Sequence, residues 1–408
     1  MIRSLKKSRK LADVCYDIRG PVMAEAARLE EEGCRIIKLN IGNPAPFGFD
    51  APEEILRDII TNLSEAQGYS DSQGLFAARK AVMQDCQRLG IAGVDVDDIW
   101  IGNGVSELIT MSLQALLDDG DELLIPAPDY PLWTAACSLA GGRPVHYRCL
   151  ESEGWRPDLE HLESLIGDRT RGIVVINPNN PTGAVYDREV LQLIVEMARR
   201  HRLILLSDEI YEKITYDGAV HVPLGSLSED VLTLSFNGLS KAYRSAGFRG
   251  GWLVVSGEKS HAADYLEGLS ILANMRLCSN VPAQLAVQTA LGGYQSIYEL
   301  TADGGRLKRQ RDEMHRRLTS IEGVSCVLPK GALYLFPRLD PEIYPITDDQ
   351  AFVCEMLRET HVLTVQGTGF NWIAPDHLRL VFLPDIDVLR TAADRIEKFL
   401  DRYRRMAV

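Results

Sequence analysis

No two cysteines stand at CxxC spacing, no apolar run approaches the roughly 20 residues that cross a bilayer, and bases are outnumbered by acids. A chain of 408 residues is too long to need disulfide staples. Cys15, Cys34, Cys86, Cys137, Cys149, Cys278, Cys326 and Cys354 therefore read as reduced thiols in a cytoplasm. The greasiest runs, Gly172 to Ile176 and Leu203 to Leu206, are of strand length, which excludes a spanning helix. With 44 Lys and Arg against 57 Asp and Glu, the formal charge of −13 excludes nucleic acid as a general partner, although a local basic pocket could hold one small anion. Repeats and low-complexity segments are absent as well. The basic start, with Arg3, Lys6, Lys7, Arg9 and Lys10, lacks an apolar h-region or cleavage site after it and reads as a surface arm.

What is present is ordinary for a globular protein: 46% hydrophobic and 25% charged residues, in a length that suits two or three units of roughly 100 to 200 residues. From about residue 50 to 290, helical patterns alternate with short apolar runs buried on both faces, the pattern of an α/β unit. The runs are Asp98 to Ile101, Glu122 to Pro126, Arg143 to Tyr147, Gly172 to Asn177, Leu203 to Ser207, Val231 to Phe236 and Gly251 to Val255. Glu107 to Leu117 and Asp187 to His201 show helical spacing, with Asp187 as an expected N-cap. Beyond Gly292 a charged helix through Gly304 to Thr319 precedes strand-like pieces at Gly331 to Pro337 and His377 to Phe382. The expected fold class is α/β, with a large domain over 49–292 and a smaller, discontinuous α+β domain made of 293–408 and part of 1–48, where Pro21 to Glu32 is helical.

Three successive strands end in chemistry. Asn177-Pro178-Asn179-Asn180-Pro181-Thr182-Gly183 makes a rigid loop after the first, where open α/β sheets place ligands. The second ends in Asp208-Glu209-Ile210-Tyr211, and the third runs into Asn237-Gly238-Leu239-Ser240-Lys241. Singly, these read as a turn, a helix cap and a solvated lysine. Together they offer an amide, a carboxylate with a phenol, and an amine to one crevice. An aldehyde cofactor needs that set: the lysine forms a Schiff base, the acid keeps a pyridine nitrogen protonated, and phenol and amide tune a ring oxygen. Arg249 supplies a cation for a phosphate, and Gly102-Asn103-Gly104-Val105-Ser106-Glu107 opens a helix whose N–H groups make an anion site.

In this combination the chain resembles the class I/II pyridoxal-phosphate-dependent aminotransferases of fold type I, over about residues 13 to 400. The resemblance rests on NPNNPTG, DEIY, SKAYRSAGFRGGW, GALYLFP and HLRLVFLP in that order. It implies a three-layer α/β/α fold around a mostly parallel sheet and pyridoxal 5′-phosphate as cofactor. It makes Lys241 the lysine that holds the cofactor and shuttles the proton, Asp208 the partner of the pyridine nitrogen, and Tyr211 and Asn180 the donors to the ring oxygen. Tyr130 matches the aromatic stacked on the ring. Gly104, Val105, Ser240 and Arg249 would bind the phosphate, and Tyr69 matches a tyrosine that reaches the neighbouring subunit's phosphate, implying a homodimer with shared sites. Arg379 matches the arginine for the substrate α-carboxylate, whose planar fork binds it bidentately. No metal is assigned.

Two positions depart from the family pattern: Gly238, where many relatives carry a serine on the phosphate, and Ala78, where leucine is usual. The stretch Asp17-Ile18-Arg19-Gly20-Pro21, with Leu39 to Phe49, looks like the bacterial branch that exchanges the amino group of glutamate with pyruvate. There Gly42 would lie against the substrate. Dicarboxylate-specific relatives carry a second arginine four residues before a Ser-Asn pair; here Ser279-Asn280 has Met275 at that place and Arg276 one residue off. The expected reaction is ping-pong transfer between L-alanine/pyruvate and 2-oxoglutarate/L-glutamate. Alternatives are a transaminase for other small apolar amino acids of the valine–pyruvate type or for aspartate, and a C–S lyase on the same fold. A DNA-binding regulator built on this fold would need a domain for which the dozen residues before the resemblance leave no room.

Overall fold

The structure, a computed structural model, describes residues 5–11, 14 and 20–406; Arg3, Cys15 and residues 17–19, which figured above, lie outside the described residues. The expected apolar runs assemble into one eight-stranded sheet. Its strands in chain order are β1 (Ile99–Asn103), β2 (Glu122–Ala127), β3 (Arg143–Leu150), β4 (Arg156–Pro157), β5 (Thr170–Ile176), β6 (Ile204–Asp208), β7 (Thr233–Gly238) and β8 (Gly250–Ser256). Across the sheet the order is β1-β8-β7-β6-β5-β2-β3-β4. β5, β6 and β7 pair in parallel, as do β5 with β2 and β2 with β3; only β8 and β4 run against their neighbours.

Side chains alternate between two helical layers, which is why these strands need no polar face. Val174 and Ile176 pack with Leu206 and Phe236 on the side of helices Val105–Leu116, Leu132–Ala140 and Ala263–Met275. Ile173, Val175 and Leu205 point the other way, onto helix Arg188–His201. As expected, Asp187 caps that helix, its Oδ1 accepting from the Val190 N–H at 2.9 Å. The result is the three-layer α/β/α arrangement of fold type I.

Three glycines lie in register across the sheet: Gly102 of β1 opposite Gly251 of β8, and Gly251 opposite Gly238 of β7. A Cβ on Gly251 would meet Gly104 C and Val105 N at 2.8 Å, and one on Gly238 would meet Gly250 O at 2.7 Å. The flat row lets the start of helix Val105–Leu116 approach the sheet, and it accounts for glycine in place of the relatives' serine at 238.

A smaller α+β assembly draws on both ends of the chain. Ile37–Lys38 pairs in parallel with Val362–Leu363, and Leu378–Val381 lies between Tyr334–Leu335 and Val365–Gln366 in an antiparallel sheet. Helix Pro21–Glu31 joins helix Asp349–Thr360 through Glu25, whose Oε1 accepts from Arg358 Nε at 2.7 Å. The expected strand from Gly331 to Pro337 shrinks to Tyr334–Leu335. Pro337 has no N–H for a ladder, and Arg338–Leu339 turns away to pair with Val324–Ser325.

Candidate active site

The carboxyl ends of β1, β2, β5, β6 and β7, with the start of the antiparallel β8, face one cleft of about 520 Å³. Its lining includes Gly42, Val105, Tyr130, Asn180, Asp208, Tyr211, Ser240, Lys241, Arg249 and Arg379. Ten of the expected site residues thus meet although the chain separates the first from the last by 337 positions (379 − 42). The loop after β5 is pinned by Asn179, whose Oδ1 accepts from Thr182 N at 3.1 Å and Thr182 Oγ1 at 2.8 Å. That leaves Asn180 facing the cleft.

Asp208 ends β6 fully inside the protein and caps no helix. Trp133 Nε1 donates to its Oδ2 at 3.2 Å and the Ile210 N–H reaches Oδ1 at 3.4 Å. Burial pushes the carboxyl up to about 6, against the pull of Trp133, Ile210 and the Lys241 ammonium. Such a group invites a cationic donor, since ionising it alone in an apolar setting is costly. Lys241 Nζ donates to Gly42 O at 2.7 Å and stands 5.8 Å from the Tyr211 ring centre. Burial, and after it the neighbouring Tyr334, lifts the Tyr211 phenol well above its ordinary range.

Arg379, the arginine expected to take the substrate α-carboxylate, is 2% exposed. Its guanidinium carbon sits 4.5 Å from the ring centres of both Tyr334 and Phe370. Nη1 donates to Asn180 Oδ1 at 3.2 Å and Nη2 to Asn40 O. With Oδ1 turned to Arg379, the Asn180 amide keeps its two Nδ2 donors for the cleft.

At the anion end one expectation changes. Gly104 takes φ +82°, a value glycine adopts freely, but its N–H donates to Gly102 O at 2.8 Å and it does not line the cleft. The lining residues there are Val105 and Ser106, at the first turn of a helix where N–H groups have no intrahelical acceptor. Gly104 contributes shape: a Cβ would lie 2.8 Å from Arg249 Cζ. Arg249, left-handed at φ +58°, is held by Nη1 on Ala246 O at 2.9 Å.

Two other arginine and tyrosine positions lie apart from the cleft. Arg276 donates from Nη2 to Ile101 O at 2.8 Å and Ser72 O at 3.2 Å, and its Nη1 is 3.4 Å from Glu107 Oε2. Tyr69 stands 81% exposed on the surface. Behind Asp208, Glu209, Glu212 and His221 bring three ligand-type atoms within 4.8 Å of one another. Glu209 already accepts from Ser207 Oγ at 2.8 Å and Leu224 N at 3.0 Å, and Glu212 is paired with the Lys213 ammonium, beside which a metal cation would be repelled.

Sequence reasoning missed Tyr334, Trp133, Phe370 and Asn40. Tyr334 was visible only as one letter of GALYLFP. Trp133 follows Tyr130 by three residues, across the start of helix Leu132–Ala140, a spacing that would have placed it near the same site.

A family model described as aminotransferase class I and II matches residues 35–396. The chain is 61% identical over 403 residues to the alanine aminotransferase of Mycobacterium tuberculosis, covering 98% of this chain and 94% of that protein. It is 59% identical over 402 residues to the glutamate-pyruvate aminotransferase AlaA of Escherichia coli, covering 98% and 99%. A crystal structure of an aminotransferase from Escherichia coli superposes with a TM-score of 0.97 at 59% identity, covering 98% of this chain and 99% of that one.

Proposed function

This chain belongs to the class I and II aminotransferases, and from that membership we propose that it exchanges the amino group between L-alanine/pyruvate and L-glutamate/2-oxoglutarate, with pyridoxal 5′-phosphate in its cleft. The family depends in general on that cofactor. The observation that carries the reading is the meeting of an amine, a carboxylate and a guanidinium, Lys241, Asp208 and Arg379, along one cleft.

The cleft fits the cofactor from end to end. Asp208, pushed up to about 6 by burial, gains a cationic N–H partner in a pyridinium. The first turn of helix Val105–Leu116, with Ser240 and Arg249, would take the phosphate, and the half-buried Tyr130 would cover the ring. Tyr211 and the Nδ2 group of Asn180 would donate to the ring oxygen. Bound there, the cofactor supplies an aldehyde for an amino group and a ring that takes up the electrons of the cleaved Cα–H bond.

The chain's own residues do the rest. Lys241, the one lysine among the described residues that line the cleft, accepts the Cα proton and returns it. Arg379 binds the α-carboxylate through its fork and so fixes which Cα bond stands across the ring. Gly42 lines the same cleft, its carbonyl accepting from Lys241 Nζ at 2.7 Å. The substrates take turns in the same cleft, which gives ping-pong kinetics.

Three observations support a small apolar substrate and glutamate over strict aspartate specificity: the names of the similar proteins above, the exposure of Met275, and the commitment of Arg276 to Ile101, Ser72 and Glu107. We also read the chain as a cytoplasmic homodimer. Exposed Tyr69 supports the dimer, and free thiols at all seven described cysteines support a reducing compartment. The pairing of Ile37–Lys38 with Val362–Leu363 supports a small domain made of 293–408 and part of 1–48, beside a large one of 49–292.

The test is to mix the cofactor-loaded protein separately with L-alanine, L-glutamate, L-valine and L-aspartate and follow the visible absorption band. Fast loss of the band with alanine and glutamate and slow loss with aspartate is expected. Fastest reaction with valine or aspartate would remove the substrate assignment, and no band with added pyridoxal phosphate would remove the cofactor.

A further inference from the structure

Tyr334 touches three parts of the site at once. Its hydroxyl is 2.6 Å from the Tyr211 hydroxyl, and the two rings meet edge to face with centroids 5.8 Å apart. Its ring face lies 4.5 Å from the Arg379 guanidinium. Its ring also fills the space where residue 42 would carry a side chain: a Cβ on Gly42 would lie 2.9 Å from Tyr334 Cζ. It is 2% exposed, on the two-residue strand Tyr334–Leu335.

We propose that Tyr334 is a positioning residue that couples the carboxylate-binding arginine to the phenol that tunes the cofactor. The proposal rests on the cofactor reading above, and its direction follows from counting protons. Each phenol carries one hydrogen. If Tyr211 donates its hydrogen to the ring oxygen, the short Tyr211–Tyr334 contact can be a hydrogen bond only with Tyr334 donating. A phenol that accepts a hydrogen bond becomes a stronger donor through its own hydrogen. Tyr334 therefore strengthens the Tyr211 bond to the ring oxygen, stabilises negative charge there, and lowers the pH at which the cofactor's visible band titrates. Its ring meanwhile keeps the Arg379 fork flat and aimed. Asn180 makes a parallel link, since its Oδ1 already accepts from Arg379.

Tyr334→Phe keeps the ring and removes the hydroxyl; Tyr334→Leu removes both. Two readouts are made on pyridoxal-phosphate-loaded protein: the pH midpoint of the visible band, and the affinity for propionate, a carboxylate without an amino group. In Tyr334→Phe the midpoint should rise by about half a unit to one unit, the size of one lost hydrogen bond, with propionate affinity within about twofold of the parent. Tyr334→Leu should raise the midpoint similarly and weaken propionate about threefold to tenfold. In a Tyr211→Phe background the Tyr334→Phe shift should vanish, because the hydroxyl acts through Tyr211.

An unmoved or lowered midpoint in Tyr334→Phe overturns the coupling, as does a shift that persists without the Tyr211 hydroxyl. Loss of propionate equal in the Phe and Leu variants overturns the role of the ring. A Tyr334→Phe chain that no longer holds the cofactor refutes the proposal too, because the hydroxyl would then do more than tune its neighbour. If the parent shows no band, the cofactor reading fails and takes this inference with it. A parent band with an unmoved variant midpoint removes this inference alone.

Discussion

Arg379 lies between two aromatic faces, and that setting decides what a conservative change should do. The flat guanidinium stacks on Tyr334 and Phe370 while two of its nitrogens bond Asn180 and Asn40. An ammonium has no plane to stack and one point of charge, so Arg379→Lys loses both the stacking and the bidentate grip. We expect KM for the amino acid to rise about tenfold to a hundredfold with a smaller change in kcat, read from steady-state kinetics. A fall in kcat at unchanged KM would mean that the arginine acts in the transition state and hardly in binding. The residue also marks how far a sequence can be read. Lys241, Asp208 and Asn180 were legible because each stands at, or a few residues beyond, the end of a strand recognisable by its apolar run. The burial of Arg379 was not, because the rings that enclose it come from Tyr334 and Phe370, on two other segments of the chain.

Elements differ in the same way. The central strands could be read because burial on both faces leaves an unbroken apolar run, and only their ends moved by a few residues. Tyr334–Leu335, Val362–Leu363 and Val365–Gln366 are too short to carry any period, and only their partners define them. One such partnership is pH-sensitive. His377, at the entry to strand Leu378–Val381, is enclosed by Trp155, Trp372 and Phe336, with the last stacked on it at 4.7 Å. Burial opposes its charge, but Asp376, 2.7 Å from Nδ1, and Glu151, 3.5 Å from Nε2, outweigh burial and hold its pKa above the usual value. A folded pKa above the unfolded one stabilises the fold fully below the unfolded value of about 6.5, and that stability is lost as pH rises through the folded value. Denaturant unfolding between about pH 6 and 9 should therefore show stability falling with pH. The fall should be smaller in His377→Gln; an equal fall in both proteins would assign it to other groups.

At the scale of the whole molecule the question is whether one chain makes a complete site. Tyr69 is 81% exposed, while Arg276 and Gln284 hold its loop through Ser72 O at 3.2 Å and Ser70 Oγ at 3.3 Å. The loop is thus firmly placed with its tyrosine outside its own cleft, as expected if that phenol serves a second chain. In the dimer we propose, each site takes Lys241 from one chain and Tyr69 from the other. A Lys241→Ala chain should be inactive, and a chain with Tyr69→Ala should bind pyridoxal phosphate weakly and turn over slowly. A mixed dimer of the two has one site in which both changes meet and one in which both residues are intact. Unfolding and refolding an equal mixture makes mixed dimers about half of the total, so activity should recover to about a quarter of the parent's. If each chain builds its own site, the Lys241→Ala half contributes nothing and the other half keeps only its defective sites. The mixture would then stay at half the activity of the Tyr69→Ala protein alone, and recovery above that level is the signature of a site shared between chains.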